Sequence, residues 1–537
     1  MSFKYFPFQP ADEKAMKNPA IQLFGNRLFS DQTVSEFLVE FLLIIFSLKR
    51  IGDCEPFEAV LPTLEQISYW DNEKLKYAPK ARLNLKLFSF IGASRLDSRH
   101  QTHRKHYKTL LDALRQRIRT NSRDKDDVIR TIENLFLGFQ GAGSGRTWCA
   151  QSFLPVSPSF LAGETIWNES VAKRKNPKDW HVVMESLSTY MTMNKHRFLA
   201  RGGEVLYLQL CNALRQPPEQ IAQWCHENNL GLSNDEQDPA WVHAELNTAL
   251  GSLMSHCPAT LNALAEFIDT ELDPDTPQKT DGPEDDRRFV SAGWCNGDSW
   301  QEGYLFAVEL LRLMKTNLDV VDRIYLLECA CAMQVLRTLA IQSARVSIGE
   351  GNTDWPGYRL AVSAPEEKRS VIRRLSQQSL KAVEKMIFQA LRNPGIQLPE
   401  DPGERDKILK QADKSYGGKL FVGLAKRIGL VVPKRGAGAR FVLNEQLLRL
   451  LVLTTIPPGG RLTFDTFKEL MENRYGLVFD ANGLDRASRW LSGREIYLPA
   501  DTDRWLQEML EAAGFLIHLS DSCALVHNPA DMREENK

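Results

Sequence analysis

The sequence predicts a mainly α, multi-domain protein: a long helical body that ends in a smaller α+β unit. Three observations carry this. Apolar residues recur at three- and four-residue spacing through most of the chain, which is the period of amphipathic helices. At 537 residues the chain is longer than one compact core usually holds. Toward the C-terminus the pattern changes to short β-type runs separated by turn residues.

The elements follow in order. Residues 1–269 read as a helical N-terminal domain, with "SEFLVEFLLIIFSLKRIG", "TLLDALRQRI" and "DVIRTIENLFLGF" as its clearest helices. The Pro- and Ser-rich "FLPVSPSFLAGETIWNES" is expected as an ordered loop packed on them. Residues 270–288, "TELDPDTPQKTDGPEDDRR", hold three prolines and seven acids without apolar periodicity, the composition of an acidic linker. A helical middle domain is expected at 289–407, with at least two helices within 299–346 and another in "RSVIRRLSQQSLKAVEKMIFQAL". The Pro/Gly-rich "NPGIQLPEDPGERDK" ends that block.

The last block, 408–530, contains an internal echo. "LAKRIGLVVPKRGAGARFVLN" and "LEAAGFLIHLSDSCALVHN" share one layout: a helix end, a glycine (Gly429, Gly514), and two β-type runs around a polar turn. Glycine suits the left-handed conformation that closes a helix. Leu430–Val432 should pair with Phe441–Leu443, and Phe515–Leu519 with Ala524–Val526. Four helices lie between these hairpins, and Asp501 is the expected N-cap of the last. Helices followed by a hairpin resemble the winged-helix superfamily over about 120 residues, in two tandem copies of which the first is incomplete. Residues 531–537 are expected as a disordered tail.

Composition bounds the function. Lys plus Arg number 67 and Asp plus Glu 68, so any nucleic-acid contact must come from clustering rather than total charge. The nine cysteines are scattered with no CxxC pair, which fits reduced thiols and a cytoplasmic protein. The N-terminal "MSFKYFPFQPADEK" lacks a basic segment leading into an apolar one, so no signal peptide is expected. The run Phe37–Leu48 carries Glu40 and falls short of the roughly 20 apolar residues of a bilayer span, so it is expected as a buried helix with no membrane contact.

Candidate sites are few. "FLGFQGAGSGRTWCAQ" (136–151) has the vocabulary of a phosphate loop, but Gln140 and Arg146 stand where GxxxxGK[ST] needs Gly and Lys. A nucleotide site at 141–147 would be degenerate, and Arg146 is better placed as a seat for a nucleic-acid phosphate. Residues 94–130 hold eleven Lys/Arg against five Asp, and Arg104, Lys105, Lys108, Arg115 and Arg119 are the candidate backbone contacts. His100, His103 and His106 in that run have cationic neighbours that oppose a metal. The Cys225-His226 and His256-Cys257 doublets, with His243 between them, read as ordinary polar or half-buried residues. Cys329 and Cys331 read as buried helix positions. In the wing-like "VPKRGAGAR", Lys434, Arg435 and Arg440 could lie against a phosphate backbone, and Arg486 and Arg489 add charge on a short helix whose buried side is Trp490 and Leu491. No nuclease, Ser/His/Asp or HExxH set has convincing context, so neither cofactor nor metal is expected and the balance leans away from an enzyme.

A long helical body with a winged-helix end looks similar to accessory proteins of bacterial anti-phage defence islands, of the Druantia or phosphorothioate-restriction kind. That resemblance is one of layout. It implies a non-catalytic, DNA-engaging or scaffold subunit whose partners are DNA and other proteins of the same system. Two alternatives stand beside it: a purely protein–protein scaffold, and an enzyme with a degenerate nucleotide loop.

Overall fold

The apolar run in the first domain folds as a buried helix, α1 (Val34–Ile45). A capping box opens it: the Thr33 hydroxyl accepts from the Glu36 amide, while the Glu36 carboxylate accepts from the Thr33 amide. The helix stops earlier than its apolar run, and Leu48–Ile51 form strand β1 instead. Buried Lys49 explains the stop, because its Nζ donates to the carbonyls of Ile44, Ile45 and Ser47 at 2.9, 2.7 and 2.8 Å and satisfies the helix end.

The computed structural model describes residues 3–9, 18–25, 28, 32–80, 82, 155–163, 202–255, 259–272, 289–347, 355–368 and 370–529 apart from 521 and 522, with short pieces of 108–130 and 166–192. The chain is mainly helical with small sheets. Helix α1 packs on α2 (Gly202–Leu214), α2 on α3 (Trp300–Met314), and α3 on α4 (Val320–Ser347). The backbones of α2 and α3 nearly touch, since a Cβ on Gly303 would sit 2.5 Å from the Gln209 carbonyl oxygen. Helix α4 is long and apolar enough to span a membrane, yet the most apolar stretch of it is 89% buried inside the protein.

The expected N-terminal and middle domains share one core. A single cluster of buried apolar residues runs from Phe6 to Val526. Strand β2 (Leu75–Ala78) pairs antiparallel with β1 on one side and with β3 (Val290–Ser291) on the other. The acidic stretch between them therefore does not separate two cores; residues 273–288 of it lie outside the described residues, as does the tail from 530.

Beyond α4 one order of elements occurs twice. In the first unit, α4 is followed by β4 (Leu360–Ala361), α5 (Val371–Ala390), α6 (Pro402–Asp413), a π-helical stretch Lys414–Phe421, α7 (Val422–Arg427), and a hairpin of β5 (Val431–Val432) and β6 (Arg440–Phe441). The Ser363 amide donates to the Phe441 carbonyl, which sets β6 beside the strand that follows α4. In the second unit the order is α8 (Glu445–Thr455), β7 (Arg461–Thr463), α9 (Phe464–Tyr475), an insertion of β8 (Leu477–Val478) and α10 (Ala481–Ser492), α11 (Arg504–Ala512), then a hairpin of β9 (Leu516–Ser520) and β10 (Cys523–His527). Its sheet is antiparallel and runs β7–β10–β9. Parallel pairing of β8 with β4 ties the two units together.

Two expectations change here. The helix and strand that precede the first hairpin come from 320–361, upstream of the expected boundary near 407, and the ladder of that strand is with β8. That boundary falls inside α6, where Asp401 caps the Glu404 amide and Pro402 takes the first helical position, so a Pro- and charge-rich stretch starts a helix rather than a linker. The last helix begins at Arg504 with Asp503, not Asp501, at the N-cap, and the Asp503 carboxylate is held by Lys468 Nζ at 2.5 Å instead of capping.

Both glycines expected to close helices do so, with φ of +83° at Gly429 and +75° at Gly514. A Cβ on Gly514 would meet nothing within 4 Å, whereas one on Gly429 would fall 2.1 Å from Nδ2 of Asn444, the residue that caps α8. Gly514→Ala should therefore cost only the left-handed strain, about 1–2 kcal/mol. Gly429→Ala should cost about 1 kcal/mol more through the displaced cap. Urea denaturation of the two variants measures the difference, and equal losses would mean that Asn444 yields freely.

Candidate nucleic-acid interface

The basic residues singled out in the sequence end up in three different settings. Arg104, Lys105, Arg119 and Arg146, with the whole of the 136–151 loop, lie outside the described residues. Lys108 is exposed, and Arg115 is held by Asp126 at 2.6 Å and Asp112 at 2.8 Å, so its charge is answered locally.

On α10, Arg486 pairs with Glu472, and Arg489 with Asp485 at 2.8 Å and Glu495 at 3.1 Å. The buried side of α10 is Gly483, Leu484, Ala487 and Ser488; Trp490 and Leu491 are only half-buried. Burial follows the four-residue ridge through Leu484 and Ser488, which meets α5 and β4.

The first wing is different. Lys434 and Arg435 stand exposed at its tip, and Gly436 and Gly438 take φ of +98° and +83° to turn the chain there. Arg440 is not at the tip. It lies at the base of the hairpin, 5% exposed, with Nε donating to Ser363 Oγ at 3.1 Å and Nη2 to the Pro365 carbonyl at 2.7 Å. Burial, then the neighbouring charge of Arg373, holds its pKa below the ordinary arginine value, and Glu367 and Glu366 only partly offset this.

Helix α5 braces the wing from below. Ser376 Oγ accepts from the Phe441 amide at 2.8 Å and donates to its carbonyl at 3.1 Å, while Gln377 Nε2 donates to the Gly438 carbonyl at 3.3 Å. Arg373 Nη1 donates to the Glu367 carbonyl at 2.8 Å. The wing is thus a short hairpin fixed by polar side chains of a 20-residue helix.

Sequence reasoning missed Arg373, Arg374 and Gln377 as neighbours of the wing. The Arg-Arg pair in "VIRRLSQQ" was visible, but nothing in the sequence shows that helix α5 passes beneath a hairpin some sixty residues later.

Charge divides sharply between the two units. Residues 320–443 hold twenty-one Lys and Arg against twelve Asp and Glu; residues 444–528 hold eight against twelve. Among the described residues, no carboxylate lies within ion-pair distance of Arg373, Arg374, Lys434, Arg435 or Arg440. Most cations of the second unit are paired, as at Arg486, Arg489, Lys468 and Arg504. Helix α11, which precedes the second hairpin, exposes Glu508 and Glu511.

Among the described residues, the Cys/His doublets and the cysteines of α4 are set apart from one another. Cys225 is buried while His226 faces out, and His243 Nε2 lies 2.8 Å from the Pro62 carbonyl; His256 and Cys257 lie outside the described residues. Cys329 and Cys331 are buried in α4, and burial raises both thiols. Among the described residues no three His, Cys, Asp or Glu are placed to hold a metal ion. No protein-family model, curated protein or solved structure matches the chain.

Proposed function

We propose that this chain is a non-catalytic, DNA-engaging subunit of a multi-protein bacterial anti-phage system, and that it grips the phosphate backbone with its first winged unit. The observation that carries this is the set of cations at the first wing with no carboxylate in ion-pair range, inside a unit with a large positive excess. Cations already neutralised by neighbours release few counterions on meeting DNA, whereas these would release them. A rigid glycine-turned tip bearing Lys434 and Arg435 can follow a backbone or enter a minor groove without base-specific contacts. What supports placement in a defence assembly is the resemblance of layout, a helical body followed by two units that each end in a hairpin.

A second role belongs to the second unit. Glu508 and Glu511 on α11 would meet phosphates with like charge, so that face suits a protein subunit of the same assembly.

Fluorescence anisotropy with a labelled duplex of about 30 base pairs, titrated at several salt concentrations, tests the DNA role. Binding with a steep salt slope is the expected result. No binding at low salt would reject it and leave the protein-interaction scaffold.

A further inference from the structure

Resting on that DNA reading, we infer that the base of the first wing is a seat for one phosphodiester group, formed by the guanidiniums of Arg373 and Arg440. Two features of the site point there. The two guanidiniums close on the same short loop from opposite ends, Arg440 on Ser363 and Pro365 and Arg373 on Glu367. Arg373 Nη2 also lies 3.5 Å from where a Cβ on Gly438 would project, two residues before Arg440, so both cations sit under the same turn of the wing.

Bringing the half-buried Arg373 beside the buried Arg440 is costly unless an anion lies near both, and Glu367 and Glu366 offset that cost only in part. Among the buried arginines, Arg312 has Glu236 at 2.6 Å and Arg337 has Glu309 at 2.8 Å, whereas Arg474 lacks an ion pair but spends Nε, Nη1 and Nη2 on the carbonyls of Leu230, Thr454 and Gly231. Arg440 has only a hydroxyl and a carbonyl, neither of which carries charge. Its planar fork keeps donors to spare, as does that of Arg373, and two forks match the oxygens of a phosphate. Glycine at 438 keeps the wall of the seat free of a side chain. The tip residues Lys434 and Arg435 would then hold the two neighbouring phosphates, and the wing would span successive backbone positions.

The full-length protein allows the test. One arm follows the melting temperature with inorganic phosphate against chloride at matched ionic strength, and the other the salt slope for a duplex. Wild type should gain melting temperature with phosphate. Arg373→Gln should lose that gain and reduce the salt slope by about 0.9, one contact's share. Arg440→Lys keeps the charge but loses the fork, so it should lose the phosphate effect while keeping the slope. Lys434→Gln with Arg435→Gln should reduce the slope and keep the phosphate effect.

No phosphate effect in wild type, or one that survives both Arg373→Gln and Arg440→Lys, overturns the seat even where duplex binding is intact. A phosphate effect without any duplex binding overturns its assignment to a phosphodiester and points to a free phosphate. Circular dichroism of each variant separates loss of the seat from loss of the fold.

Discussion

Arg312→Ala should destabilise the protein by about 3–5 kcal/mol, because it would leave a buried carboxylate without its counter-charge. Arg312 and Glu236 are joined twice, through Nε and Nη2 at 2.6 Å each, with side chains only 2% and 7% exposed. The same guanidinium donates to the carbonyls of Thr454 and Thr455 at the end of α8 and of Gly231 in the turn between the helices Pro218–Glu227 and Pro239–Gly251. One side chain therefore fastens the leading helix of the second unit to the helical body.

The pair also sets a pH dependence. Burial by itself would raise the Glu236 carboxyl, but hydrogen bonds from Arg312 and its charge outweigh that and hold the pKa below the ordinary glutamate value. A carboxyl depressed in the folded state contributes stability that is complete above its unfolded pKa and lost as pH falls through the folded one. Urea denaturation at neutral and acid pH should show an acid-sensitive component in wild type that Glu236→Gln removes. Glu236→Gln combined with Arg312→Met should recover part of the loss, since it removes the unpaired carboxylate but leaves the Thr454, Thr455 and Gly231 carbonyls without that donor. A loss below about 1 kcal/mol for Arg312→Ala would mean that water reaches Glu236 and that the two units are fastened elsewhere.

Such fastenings mark the limit of what the sequence discloses. The helices at 300–314 and 320–347, both hairpins, and the turning glycines at 429 and 514 rest on local periodicity and on backbone conformations that only certain residues adopt readily. Local signals also allowed for a better start of α6, because Asp401 followed by Pro402 is a helix opening as well as a turn sequence. The contacts that join distant segments have no local signal. Arg440 reads like the third cation of a wing, and only the fold brings Ser363 and Pro365 to its guanidinium. The acidic stretch at 270–288 looks like a domain boundary, yet β2 and β3 pair across it.

Charge reversal at the wing tip, Lys434→Glu with Arg435→Glu, should weaken duplex binding by about 60-fold at 0.1 M salt. Each backbone contact that releases about 0.9 counterion contributes about a factor of eight at that salt, and two such contacts multiply. Reversal also adds repulsion, so this is the smaller end of the effect. Both residues are exposed, and stability should change by less than about 0.5 kcal/mol, which lets the affinity change be read as contact loss. Arg440 must be left out of the reversal: a carboxylate buried against the Pro365 carbonyl would disturb the hairpin itself and confound the measurement. The same reversal at Arg486 and Arg489 is the control. Their charges are already taken up by Glu472, Asp485 and Glu495 within an acidic unit, so affinity should move by no more than about threefold. If the two reversals weaken binding equally, DNA is sensing the net charge of the protein and not a wing, and the interface must be sought in the basic segment around Lys108.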